Sequence, residues 1–258
     1  MKTPNIIIFT GKDYRHKYFI QHLNARFSIS EIYIEESNFP RPTPLSETES
    51  IAWDWFFQRR DGYEQKLIDK SSLLIPKNKP REIFLGHDNF NDPQTIIKIQ
   101  NANPDFIAVF GTSILREPFL KQFPNRLFNL HIGDPEFYRG SSSNFWPIYH
   151  QKLHLLSATI HRIDQNVDTG DILLKRAVKL SKKDNEQTLL LKPLILGTKL
   201  MISTIQKWQT NSLKSIPQNK CGKLYKKADF NPKAISEFKQ MVESGRLNNL
   251  IQASIDKS

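Results

Sequence analysis

Two uninterrupted apolar runs, Ile6-Ile7-Ile8-Phe9 and Phe106-Ile107-Ala108-Val109-Phe110, constrain this chain more than any other feature. A strand with one wet face alternates apolar and polar residues. A strand that is apolar at every position has both faces covered, as in a parallel sheet layered between helices. Each run ends on a glycine, Gly11 and Gly111. Tyr18-Phe19-Ile20 with Leu23 reads as the helix after the first run, and residues 28–35 (Ile29, Ile32, Ile34) as a second strand. Ile83-Phe84-Leu85 is a further strand. Asp92-Pro93 then opens a helix over Ile96, Ile97 and Ile99, because proline at the first helical position gives up no needed donor. Residues 127–131 and the alternating residues 157–162 continue the series. Strands and helices in alternation predict an α/β fold, a doubly wound and mainly parallel sheet.

Three prolines in Phe39-Pro40-Arg41-Pro42-Thr43-Pro44 predict a loop. Residues 46–70 read as a helix with a Ser46/Glu49 capping box and a buried stripe of Ile51, Trp55, Leu67 and Ile68. A long amphipathic stretch over residues 188–208 is interrupted by Pro193 and Gly197. Gly222-Lys223-Leu224-Tyr225 is a late strand or loop. A soft boundary near residue 180 separates a unit over 1–180 from a small C-terminal helical or mixed extension over 181–258, one long helix plus a basic tail.

Lys and Arg number 37 against 26 Asp and Glu, a net +11. That balance favours phosphate-bearing partners, or is simply a solvated basic surface. Residues 211–258 hold nine basic and four acidic residues, but no run of five like charges. A single cysteine, Cys221, excludes a disulfide scaffold and has no Cys or His beside it. The apolar stretches are too short to cross a bilayer, and Met1-Lys2-Thr3-Pro4 leaves no room for a secretory signal. The expected setting is the cytoplasm, with no membrane partner. Trp53, Trp55, Phe56 and Phe57 read as core or a dimer face. Ser141-Ser142-Ser143-Asn144 reads as a helix cap or a phosphate cradle.

Ligands of open α/β sheets sit beyond the carboxyl ends of the strands. Gly11-Lys12-Asp13-Tyr14-Arg15-His16 lacks the glycines of a dinucleotide or P-loop fingerprint, yet Lys12, Arg15, His16 and Lys17 can hold an anion. Asn129 and His131, two apart on one strand, share a face among Leu127, Phe128, Leu130 and Ile132. Asp168 follows in a turn-rich loop. An amide donates to an oxyanion, an imidazole carries a proton near neutral pH, and a carboxylate orients it.

Phe128-Asn129-Leu130-His131, Tyr138-Arg139-Gly140, Thr159-Ile160-His161 and Val167-Asp168-Thr169-Gly170-Asp171-Ile172-Leu173, in this order and spacing, resemble the folate-dependent formyltransferases. That family includes the glycinamide ribonucleotide, methionyl-tRNA and sugar-nucleotide N-formyltransferases. The resemblance covers residues 100–180 well and the first hundred in outline. It implies a Rossmann-like fold, with Asn129, His131 and Asp168 catalytic and a protonated His131 bonding the oxyanion. It implies 10-formyltetrahydrofolate as donor, held by Phe110, Gly111, Ser113, Ile114, Leu115, His161, Asp164, Val167 and Gly170, and no metal. The expected acceptor contacts are Asp134, Tyr138, Arg139, Lys12 and Arg15, although Gly133-Asp134-Pro135 favours Asp134 as a turn former.

Two departures bear on the acceptor. Lys12-Asp13-Tyr14 replaces the Gly-Ser-Gly phosphate cradle of the purine enzymes, and about 78 residues after position 180 fall short of the barrel expected of the tRNA enzymes. The expected acceptor is a small-molecule primary amine, foremost a nucleotide-linked amino sugar. Methionyl-tRNA or another small amine is the alternative, as is a hydrolase releasing formate. In a different class stands a non-catalytic basic nucleic-acid-binding protein on the same fold. A homodimer stays open.

Overall fold

A computed structural model describes residues 4–36 and 43–256. The expected proline loop falls largely in the undescribed residues. The chain runs β1 (Ile6–Gly11), α1 (Tyr14–Asn24), β2 (Ile29–Glu35), α2 (Glu47–Ser71), β3 (Arg81–Leu85), α3 (Pro93–Ala102), β4 (Phe106–Phe110), a short α4 (Phe119–Gln122) and β5 (Leu127–His131). After these come β6 (Tyr138–Gly140), a short α5 (Trp146–Tyr149), β7 (Ser157–Arg162), β8 (Ile172–Ala177), α6 (Glu186–Gln209), β9 (Lys223–Tyr225), α7 (Pro232–Glu243) and α8 (Arg246–Ile255).

Seven strands form one sheet in the order β3-β2-β1-β4-β5-β7-β8, and β6 pairs with β9 in a separate two-stranded sheet. Pairs from β3 through β5 are parallel, while β7 and β8 are antiparallel. The continuous apolar runs are the central strands, as their composition demands. Ile6 and Ile8 of β1 face α1 and α6, with Phe19, Leu23, Met201 and Ile205. Ile7 and Phe9 face the other way, onto Phe90, Ile96 and Ile99. Each fully buried Leu or Ile contributes about 1.5–3 kcal/mol, so these two layers carry the fold.

Helix α6 is continuous through Pro193 and Gly197, against the expected interruption. Gly197 has a packing reason: a Cβ there would come 2.2 Å from Leu130 Cδ1, so its absence lets the helix lie close on β5. By length and composition α6 could cross a bilayer, contrary to the sequence expectation, but Leu194, Met201 and Ile205 are spent on the sheet. In α2 Ala52, Trp53 and Phe56 are buried and the expected Trp55, Leu67 and Ile68 are partly buried against the core, whereas Ile51 is 55% exposed. Ser46 caps this helix by accepting from Glu49 N at 3.2 Å, while the Glu49 carboxylate turns to Leu45 N at 2.7 Å.

The expected basic tail contains α7 and α8. Asn231 caps α7, and Ala234, Ile235, Phe238 and Met241 recur at helical spacing. Those side chains join Trp53, Phe56, Phe145 and Leu189 in a third apolar cluster. Residues on both sides of position 180 therefore share one core.

Candidate active site

His131 closes β5, and Asn129 lies two residues before it on the same face. Strand β7 runs antiparallel beside them, placing His161 opposite Asn129 and Thr159 opposite His131. Directly opposed residues put their side chains on one face. Asn129 Nδ2 accordingly lies 3.0 Å from His161 Nε2.

Asp168 enters from the loop between β7 and β8, in the left-handed region at φ 55°. Aspartate tolerates that conformation better than most residues, at a cost of about 1 kcal/mol. The loop is pinned on several sides. Gln218 Nε2 donates to the main-chain oxygens of Asp168 and Gly170, both at 2.9 Å. Gly170 presses on the Arg162 carbonyl, where a Cβ would come within 2.0 Å. Glycine is thus required for the approach.

The carboxylate gathers the cluster. Asp168 Oδ2 accepts from Gly140 N at 2.7 Å and lies 3.4 Å from His131 Nδ1. Asp168 Oδ1 lies 3.3 Å from His161 Nε2 and 3.4 Å from Asn129 Nδ2. Burial by itself would raise the Asp168 pKa. The positive field of His131, together with His161 and the Gly140 N–H, overrides it and holds the carboxyl below the usual range.

His131 is 5% exposed. Its Nε2 lies 2.8 Å from the Tyr138 carbonyl, which can only accept, so Nε2 carries a hydrogen and Nδ1 faces Asp168. Burial pushes its pKa below the ordinary value, against the pull of Asp168. That direction favours a ring able to take up a proton. Both nitrogens face oxygens, so a proton arriving at Nδ1 meets a carboxylate. The arrangement receives a proton at His131 and leaves the Asn129 amide to meet developing negative charge. His161 Nδ1 donates to the Arg162 carbonyl at 2.7 Å, which turns Nε2 toward Asn129 as an acceptor.

The other sequence candidates are placed less uniformly. Ser113 N and Oγ donate to Glu35 at 2.6 and 2.7 Å, tying the loop after β4 to the end of β2. Ile114 is 52% exposed there, whereas Phe110 and Leu115 are buried. Gly111 sits at φ 72° above the His16 ring. Asp164 accepts from Thr169 Oγ1 at 2.7 Å, stiffening the loop that carries Val167 and Asp168.

On the expected acceptor side, the charges are mostly consumed within the protein. Arg15 pairs with buried Glu64 of α2 and Lys12 with Glu36, while His16 is buried. The anion cradle anticipated at 12–17 is neutralised in this way, because α2 brings a carboxylate that sequence distance concealed. Asp134 accepts from Glu136 N at 3.0 Å and pairs with Lys175 at 3.1 Å, so it shapes the turn after His131. Arg139 contacts Cys221, and Tyr138 is buried among aromatic rings. Trp53 and Phe56 are core. Gln218, Gly140 N and the Tyr138 carbonyl escaped the sequence reading as site groups. For Gln218 no local signal existed; it arrives from a loop 50 residues beyond Asp168.

The family model for formyl transferase matches residues 58–205, which include Asn129, His131, His161 and Asp168. The methionyl-tRNA formyltransferase of Finegoldia magna is 30% identical over 188 residues, covering 66% of this chain and 59% of that protein. That of Thermodesulfovibrio yellowstonii is 30% identical over 132 residues, covering 51% of this chain and 42% of that protein. The chain thus spans less than two thirds of either relative. Among solved structures, WlaRD, a sugar 3N-formyl transferase crystallised with dTDP and 5-N-formyl-THF, superposes with a TM-score of 0.56 at 18% identity. The superposition covers 92% of this chain and 78% of that one. The phosphoribosylglycinamide formyltransferase of Anaplasma phagocytophilum gives a TM-score of 0.58 at 10% identity, over 87% of this chain and 100% of that one. The Rossmann-like α/β sheet expected from the sequence is the fold these proteins share. The family match spans more than half of the sequence, and the chain belongs to the formyl transferase family.

Proposed function

We propose that this protein transfers a formyl group from 10-formyltetrahydrofolate to a primary amine. One observation carries the reading: Asn129, His131 and His161 converge on a single largely buried carboxylate, Asp168, within 3.4 Å. The donor supplies an activated formyl carbon. At the carboxyl end of β4, the exposed apolar Ile114 beside Gly111 fits one edge of a flat heterocycle. The second Asn129 N–H, only loosely held by Asp168 at 3.4 Å, is free to bond the oxygen that gains charge as the amine nitrogen bonds to the formyl carbon. His131 Nδ1 takes the proton the amine loses, stabilised by Asp168. The same proton returns to the departing nitrogen as its bond to carbon breaks. The products are a formamide and tetrahydrofolate, and protons balance without an outside acid.

The acceptor we favour is the amino group of a nucleotide-linked amino sugar. Support comes from solved relatives of the fold that act on such sugars, among them PseJ of Anoxybacillus kamchatkensis, crystallised with UDP-4,6-dideoxy-4-formamido-L-AltNAc and tetrahydrofolate, at a TM-score of 0.51. A second reading, methionyl-tRNA, is favoured by the names of the curated relatives and by the +11 charge. Incubation with the folate donor and each acceptor, following tetrahydrofolate release and formamide mass, tests both. Transfer to tRNA alone overturns the sugar reading, and release of free formate without any acceptor overturns transfer itself.

A further inference from the structure

A groove of about 460 Å³ borders β6, formed by Phe137, Tyr138, His150, Lys152, Lys223 and Tyr225 with one leucine. Among the described residues no carboxylate lines it. Among the described residues neither lysine belongs to any ion pair, in contrast to Lys12 and Arg15. Lys223 instead stands 4.8 Å over the Tyr225 ring. His150 stacks between Tyr138 and Trp146. Burial pushes its pKa down first, and the charges of Lys152 and Lys223 push it further, a sign of the positive field in the groove. Burial also moves the Tyr138 hydroxyl up to about 12 and raises that of Tyr225, so both remain O–H donors at neutral pH.

The groove therefore offers cations and donors and no negatively charged acceptor among its lining residues. An oxyanion with several acceptor oxygens matches that set. Its volume falls in the usual range of small-molecule sites and exceeds what a lone phosphate fills. The groove and the site share a strand: the Tyr138 carbonyl holds His131 at 2.8 Å, and Gly140 N holds Asp168 at 2.7 Å.

We propose that this groove binds the diphosphate of a nucleoside diphosphate and so anchors the acceptor beside Asp168. The second half of that statement rests on the formyl-transfer reading; the binding itself does not. Two positive charges suit a diphosphate, whereas a polymer would be tracked by a longer basic stripe.

Calorimetric titration with UDP, inorganic pyrophosphate, uridine and bulk tRNA tests it on the parent, on Lys152→Ala/Lys223→Ala and on Tyr225→Phe. The substituted lysines are exposed, and circular dichroism checks that each variant is folded. UDP and pyrophosphate are expected to bind the parent, with UDP weakened about tenfold or more in the double-lysine variant and uridine failing to bind. His131→Ala should bind UDP as the parent does. Equal UDP affinity in parent and double variant, or no UDP binding at all, overturns the proposal. Tighter tRNA binding with a steep salt dependence, lost in the double variant, overturns it in favour of a polymer. If groove-dependent UDP binding stands while no amine is formylated, the transfer reading fails and the groove survives. Transfer that is indifferent to the lysines gives the reverse.

Discussion

Two histidines are buried near the carboxyl edge of one sheet, His16 beside β1 and His131 at the end of β5, and they are 7% and 5% exposed. Each sits among polar residues that a sequence reader would nominate for a site. Around His16 most partners are fixed: Arg15 pairs with Glu64, Lys12 with Glu36, the ring's Nδ1 accepts from the Asp13 N–H at 3.0 Å, and Lys17 stands over the Tyr14 ring. The ring fills the space above Gly11 and Gly111, either of which would collide with it if it carried a Cβ. Around His131 the balance is left open. Among the described residues Asp168 has no lysine or arginine partner, and its contacts are two imidazoles, an amide and one backbone N–H. A buried carboxylate without a permanent cation is costly for stability, and its pairing with titratable groups lets a proton move.

Substitution at the two histidines should separate these roles most sharply. His131→Ala and Asn129→Ala are each expected to lower turnover by about 10²-fold or more while folate binding survives, because both act on developing charge. Steady-state kinetics with a folate-binding assay checks this. Turnover within about threefold of the parent in both variants would remove β5 from the chemistry.

Asp168→Asn comes next. It keeps the shape and the Gly140 contact but removes the charge that opposes burial at His131. Turnover is expected to fall about tenfold or more, and the His131 pKa, followed by NMR, should drop further below its ordinary value. An unmoved His131 titration would make Asp168 a loop residue only.

The counterpart is His16→Asn, which keeps an acceptor for the Asp13 N–H and loses the ring. Stability should fall by about 1.5 kcal/mol through the cavity left under the two glycines, with turnover within about threefold of the parent. Urea unfolding and kinetics on one preparation decide it. A large kinetic loss at unchanged stability would move His16 into the active site.

The contrast also explains what sequence could and could not reveal. Asn129, His131 and His161 are legible because strand periodicity puts the first two on one face and an antiparallel neighbour puts the third opposite. Asp168 is legible through its turn-rich loop and the family's spacing. The neutralising partners were invisible: Glu64 lies 49 residues from Arg15, and which face of α2 turns inward depends on α7. Helices α7 and α8 were hidden under a charge count, although Ala234, Ile235, Phe238 and Met241 carried the period. The continuity of α6 through Pro193 was missed for a related reason. Local propensity disfavours proline there, but burial against β5 and β7 outweighs it.

The smallest effect concerns acid. Burial lowers the His16 pKa to about 3, with the charges of Arg15 and Arg60 adding to burial and Asp13 opposing it. In the unfolded chain the same ring titrates near its ordinary value of about 6.5. Between those values the unfolded state holds a proton that the folded state lacks. Stability from the neutral ring is therefore complete above pH 6.5 and is lost as pH falls, by at most about 1.4 kcal/mol per unit. His131, also lowered, tilts the parent in the same direction, whereas Asp168, with its depressed carboxylate, matters only below about pH 4. Between pH 6.5 and 5.5 the parent should lose about 1 kcal/mol more than His16→Asn does, because that variant retains only the His131 share. Urea midpoints at the two pH values measure the difference. Equal losses in the two proteins would mean that His16 titrates as if exposed, and the distinction between a structural and a chemical histidine would have to rest on the carboxylate alone.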